Sequence, residues 1–247
     1  MTYNKAVNIS GKQRMLSQKM SKAYLLLTYG VNNEEIKKEL NSSKFIFEKQ
    51  LQILKQNGKS ISTVKQNVDK VEKLWGKFKP LIEKTPNVES ARTIAKTNTE
   101  LLQACHQLVL AIEASAGSSN NFFSDGDQEL VNIINKSGKQ RMLSQRLALF
   151  YTASVLFASQ KRDYREILDK TYIEYDGAIG DLLINSYNTT ETEEELGVIM
   201  SQWEKFQINK SDFFDGKFNL HEVFTVTNEM TKRFNKITGI YEKANKN

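Results

Sequence analysis

A twelve-residue stretch that occurs twice constrains this chain more than any other feature. Asn8-Ile-Ser-Gly-Lys-Gln-Arg-Met-Leu-Ser-Gln-Lys19 returns as Asn135-Lys-Ser-Gly-Lys-Gln-Arg-Met-Leu-Ser-Gln-Arg146, displaced by 127 residues and identical at ten of twelve positions. Lys19 and Arg146 keep the charge. Elsewhere the two halves have drifted apart, so one chemistry is held in both copies of this segment. Weaker echoes follow. Trp75-Gly-Lys-Phe78 answers Trp203-Glu-Lys-Phe206 at a displacement of 128, as Phe47, Leu51 and Leu54 answer Tyr175, Ile179 and Leu182. Thr97-Asn98 answers Thr227-Asn228 at 130. A slowly growing offset is what short loop insertions leave in an internal duplication.

The segments between these marks read as helices. Pro80 and Pro86 are the only prolines in 247 residues, and proline is the residue that helices exclude. Ile9, Leu16, Met20, Ala23 and Leu27 recur at the spacing of a bundle helix, which predicts a first helix over Tyr3–Tyr29, closed by Gly30. Three more follow, over Asn33–Asn57, from Ser60 to about Lys84 with Pro80 set to kink or shorten it, and over Val88–Ala116. The second half repeats the plan, with one long helix from Asp127 to about Gln160, then Asp163–Tyr187, then Thr189 to about Asp215, then Leu220–Lys243. The expected fold is all-α, two tandem antiparallel four-helix bundles over residues 1–117 and 127–247, joined by a polar linker at 118–126.

An up-down-up-down bundle begins and ends at the same end. A linker of about ten residues therefore starts the second bundle where the first began, and helices one and five run parallel with their motifs at similar heights.

Within the motif, residues three and four apart share a face. Ser10, Gly11, Arg14, Ser17, Gln18 and Ser21 form one small, polar stripe, and Ser137, Gly138, Arg141, Ser144, Gln145 and Ala148 form its counterpart. A helical glycine costs about 1 kcal/mol relative to alanine, so its presence twice needs a reason, and close approach of two helices supplies one. Two arginines meeting across such a contact repel unless an anion lies between them, and guanidinium forks suit planar oxyanions. Asn8 and Asn135, the serine hydroxyls and the glutamine amides then complete the shell. The competing reading is a tight helix crossing that only locks two units together, a structural or interaction bundle without a ligand.

The run Asn-x-Ser-Gly-Lys-Gln-Arg-Met-Leu-Ser-Gln resembles the signature of the PilJ-type domain, the N-terminal sensing domain of type IV pilus methyl-accepting transducers. It is similar also to the periplasmic box of the nitrate/nitrite sensor kinases NarX and NarQ, through Asn8, Gly11, Arg14, Met15 and Ser17 and through Asn135, Gly138, Arg141, Met142 and Ser144. The resemblance implies a four-helix sensing module in which Arg14 and Arg141 clasp nitrate or nitrite and Gly11 and Gly138 permit close approach. It departs from the pattern in having both copies in one chain and no transmembrane, kinase or methyl-accepting region after them. A membrane-bound signalling partner and an extracytoplasmic location follow from the resemblance alone. No signal peptide or membrane-spanning run is visible, although a motif placed this close to Met1 leaves room for a removed targeting segment.

Other chemistries find little support. The net charge of +6 comes from lysines dispersed among Asn and Gln, the pattern of a solvated surface rather than a nucleic-acid patch. Cys105 is the lone cysteine, and His106 and His221 are the only histidines, which argues against a disulfide or a zinc site. Asp125/Asp127 and Glu193–Glu195 read as a loop and an acidic helix start, and Trp75 and Trp203 as core anchors. With no nucleophile-base pair and no glycine-rich phosphate loop, the expectation is a non-enzymatic module without a cofactor.

Overall fold

The computed structural model of the chain describes residues 1–31, 34–115 and 128–244. The expected linker at 118–126, Asn32-Asn33 and the Asp125/Asp127 pair lie outside the described residues. Among the described residues the fold is all-α, with nine α-helices and no strand. They are α1 (Tyr3–Tyr29), α2 (Glu34–Gly58), α3 (Ser62–Glu83), α4 (Val88–Glu113), α5 (Gln128–Leu156), α6 (Lys161–Leu183), α7 (Thr190–Ile208), α8 (Lys210–Asp215) and α9 (Leu220–Lys243). None is long and apolar enough to cross a membrane.

Local chemistry sets the ends. The Thr2 hydroxyl accepts from the Lys5 N–H to open α1, and Gly30 closes it at φ 99°, a left-handed conformation that favours glycine. Asn87 and Asn219 cap α4 and α9 through their side-chain carbonyls, and Thr189 and Thr192 form a reciprocal capping box on α7. Pro80 lies one turn before the end of α3, where a missing N–H removes a single bond.

Two expected helices are interrupted. The run expected from Thr189 to Asp215 breaks at Asn209, whose side-chain amide donates to the Lys205 carbonyl and competes with the helix for it. The fifth helix stops at Leu156, ahead of a 3₁₀ turn over Ala158–Gln160. There Phe157 leaves the helical track and buries its ring 5.7 Å from that of Tyr164, which turns α6 back along α5.

α1 packs on α2 and α4, and α3 on α4; α5 packs on α6 and α9, and α7 on α9. The most extensive contact between helices joins α1 to α5. Burial keeps a nearly constant register. At a displacement of 128, Val64, Val68, Val71, Trp75 and Phe78 correspond to Thr192, Leu196, Ile199, Trp203 and Phe206, all buried. Even the indole bonds repeat, Trp75 Nε1 donating to Glu48 at 3.2 Å and Trp203 Nε1 to Asp176 at 2.7 Å. Along α4 and α9 the buried positions Ala91, Ile94, Asn98, Leu101, Cys105, Leu108 and Ile112 match Leu220, Val223, Thr227, Met230, Phe234, Ile237 and Tyr241. That register is 129, so Asn98 corresponds to Thr227 and the expected pairing of Thr97-Asn98 with Thr227-Asn228 is one residue out.

α1 and α5 differ from the rest. The outer helices each bury one apolar stripe, whereas these two are buried on nearly every side, polar residues included. Ser10, Gln13, Arg14, Ser17, Gln18 and Lys22 on α1, and Ser137, Gln140, Arg141, Ser144 and Gln145 on α5, are all at most 1% exposed.

Candidate functional site

α1 and α5 run parallel at equal height. Arg146, five residues beyond Arg141 on α5, donates to Gln18 Oε1 on α1 at 2.9 Å, which sets equivalent positions beside one another. At the centre of the seam Gly11 and Gly138 both lie against the two arginines. A Cβ on Gly11 would stand 3.3 Å from Arg141 Nη2 and 3.4 Å from Arg14 Nη2, so both guanidinium groups converge on one point. A Cβ on Gly138 would meet Arg141 Nη2 at 2.9 Å. The missing side chains leave the space that the arginines occupy.

The arginines cross over. Arg14 Nη2 donates to Asn135 Oδ1 at 2.6 Å, and Arg141 Nη1 donates to Asn8 Oδ1 at 2.8 Å. Each bond runs from one motif to the other, and a last-helix residue supports each guanidinium. Arg14 Nη1 lies 3.3 Å from His106 Nδ1 on α4, and Arg141 Nη1 donates to Asn235 Oδ1 on α9 at 3.1 Å. Behind them, Asn8 Nδ2 donates to the Glu242 carboxylate, and the Asn135 amide hydrogen-bonds that of Glu113. Asn8 and Asn135 thus relay between an arginine and a glutamate from the opposite half of the chain.

Neither arginine has a carboxylate within 4 Å among the described residues, and the Nε of each is buried without a hydrogen-bond partner. Burial pushes the Arg14 guanidinium down to about 10, opposed by the charge of Glu113. Burial pushes Arg141 further, to about 9, with Arg14 adding like-charge repulsion and Glu242 opposing. Both remain cationic at neutral pH, with asparagine dipoles in contact and the Glu242 and Glu113 carboxylates one side chain further out.

The remaining stripe residues bond elsewhere. Ser10, Ser17, Ser137 and Ser144 donate to carbonyls of their own helices, Val7, Arg14, Ile134 and Gln140, rather than into the seam. Gln18 accepts from Arg146, and Gln145 donates to Asn228 and Thr231, one turn away from the arginine pair. The structure therefore brings Asn8, Gly11, Arg14, Asn135, Gly138 and Arg141 together and turns the serines and glutamines away. His106, Asn235, Glu113 and Glu242 are the partners that the motif does not contain. Glu113 and Glu242 repeat at 129, the register of the burial pattern.

A second buried cation lies on one side only. Lys22, on α1, is fully buried, 2.8 Å from the Glu39 carboxylate, and donates to Asn228 Oδ1 at 2.6 Å, with its ammonium over the Phe224 ring. The corresponding positions in the second half are Leu149 and Ile167, so this triangle has no counterpart. Burial brings the Lys22 ammonium down to about 8, resisted by Glu39.

The site and fold together define an all-α helical bundle in which two arginines converge between Gly11 and Gly138. Residues 3–103 match the family model described as the N-terminal region of type IV pili methyl-accepting chemotaxis transducers, PilJ. The match covers α1, α2, α3 and the larger part of α4, including Asn8, Gly11 and Arg14. No curated protein and no solved structure matches the chain.

Proposed function

We propose that the chain is a non-enzymatic sensory module of PilJ type, internally duplicated, in which one small oxyanion of the nitrate or nitrite kind is held between Arg14 and Arg141. The observation that carries this reading is the pair of buried guanidinium groups converging at Gly11 and Gly138, with no carboxylate within 4 Å of either among the described residues. An anion arriving there exchanges with the Asn8 and Asn135 carbonyls and neutralises two charges that now repel. The family match over residues 3–103 supports a place outside the cytoplasmic membrane and a membrane-bound partner that receives the signal.

Thermal unfolding in nitrate, nitrite, phosphate, sulfate and small carboxylates tests it. A ligand at a hundred times its Kd stabilises the chain by about 2.7 kcal/mol. Arg14→Ala and Arg141→Ala each remove calorimetric binding; affinity retained in either one refutes a shared site. The reciprocal Arg14–Asn135 and Arg141–Asn8 bonds favour a second reading, in which the motif only locks the two halves. That reading expects both arginines to matter for stability and no oxyanion to shift the melting temperature.

A further inference from the structure

Beside the seam a cavity of about 230 Å³ opens between α4, α5 and α6. Arg14 forms its inner wall, His106 and Leu102 line it from α4, Lys139 and Met142 from α5, and Glu174 from α6. The inner wall carries the Arg14 guanidinium, 1% exposed, whose Nε–H has no acceptor among the described residues. The mouth is an ion pair, Lys139 with Glu174. Between them lie the apolar Leu102 and Met142.

The other flank differs. The positions corresponding to His106, Lys139 and Glu174 are Asn235, Lys12 and Ile46, which present neither an imidazole nor an ion pair. The lining by His106 and the Lys139–Glu174 pair is therefore particular to this side rather than part of the repeated motif.

We propose that this recess binds a short aliphatic monocarboxylate, its carboxylate against Arg14 and Lys139 and its hydrocarbon body against Leu102 and Met142. A bare oxyanion uses the charged end alone and leaves the apolar walls uncovered; a short acyl chain covers both. The site goes beyond the clasp reading, because it draws nothing from Arg141.

Calorimetry of the full chain with acetate, propionate and butyrate tests the proposal. Each added methylene buried against the two apolar side chains should tighten binding by about fourfold, the equivalent of about 0.8 kcal/mol. Gln103→Trp, at an exposed position on the rim, should close the recess and abolish binding, while Lys232→Trp, its counterpart on the other flank, should leave it unchanged. Arg141→Gln, checked for native circular dichroism, should keep the carboxylate series whether or not nitrate binds the native chain. The proposal is overturned by no binding, by equal affinity along the series, by indifference to Gln103→Trp, by equal loss in Lys232→Trp, or by loss of the carboxylates in folded Arg141→Gln. Nitrate failing to bind the native chain while the carboxylates bind would instead remove the clasp and leave the recess.

Discussion

Exchanging Asn8 and Glu242 for their charge-swapped isosteres moves one negative charge inward without changing net charge or side-chain size. In the native chain Arg141 donates to Asn8 Oδ1 at 2.8 Å, and Asn8 donates onward to Glu242. In Asn8→Asp/Glu242→Gln the carboxylate at position 8 accepts from Arg141 on one side and from the new amide on the other, so every donor keeps an acceptor. Arg141 is held at about 9 against an ordinary 12.5 by burial and by Arg14. A pKa change of one corresponds to about 1.4 kcal/mol, so full relief sets a ceiling of several kcal/mol. Replacing a neutral acceptor with a charged one contributes roughly 1–2 kcal/mol directly, and neutralising the Arg14–Arg141 repulsion adds to it. We expect stabilisation of about 2–4 kcal/mol, which raises Tm by roughly 5–10 °C in a chain of this length. Differential scanning calorimetry in low-salt buffer without oxyanions measures the shift, and a nitrate titration of the same samples should show a smaller rise in the variant than in the native chain. An unchanged or lower Tm with native circular dichroism would refute the claim that this arginine pair lacks a counter-charge in direct contact.

Gly138→Ala places a Cβ 2.9 Å from Arg141 Nη2, against 3.3 Å at Gly11. A flexible guanidinium can move aside and the helix gains up to about 1 kcal/mol, so Tm should change little while oxyanion affinity falls at least about tenfold by calorimetry, with Gly11→Ala milder. Glu39→Gln leaves the fully buried Lys22 without its carboxylate and should cost about 3–5 kcal/mol in urea unfolding at pH 7. Because Lys22 loses its proton near 8 in the folded chain and near 10.5 when unfolded, the unfolded state binds more protons between those values and stability rises with pH. From pH 8 to 9 the gain should be roughly 1 kcal/mol, absent in Lys22→Met. Above pH 9 the opposite contribution of Cys105, whose buried thiol is pushed up to about 12, offsets it.

The helices were legible because their signal is local. Apolar spacing, two prolines and capping residues near each boundary place α1, α4 and α9 within a few residues of their observed ends. The breaks at Asn209 and Phe157 were not, since each depends on where a side chain finds its partner: the Lys205 carbonyl for Asn209 and the Tyr164 ring for Phe157. At the site, the doubled motif singled out Asn8, Gly11, Arg14 and their counterparts, which meet across the seam. The serines of the same stripe donate along their own helices, because a hydroxyl on a buried helix has its i−3 or i−4 carbonyl within reach, a partner that the stripe does not reveal. His106 carried no repeat signal, for Asn235 replaces it, and Glu113 and Glu242 correspond only in the register that burial reveals.

A protein assembled from two identical subunits must accept every substitution twice, once on each side of its axis. With Arg14 and Arg141 in one polypeptide, that restriction is lifted. Lys22 and Glu39 stand opposite Leu149 and Ile167, and His106 opposite Asn235, so the flanks have changed separately while the central arginines stayed paired. One half is free to alter what reaches the seam, and the other to alter what holds the bundles together. The joining also makes the seam itself indifferent to dilution, because its two halves cannot part.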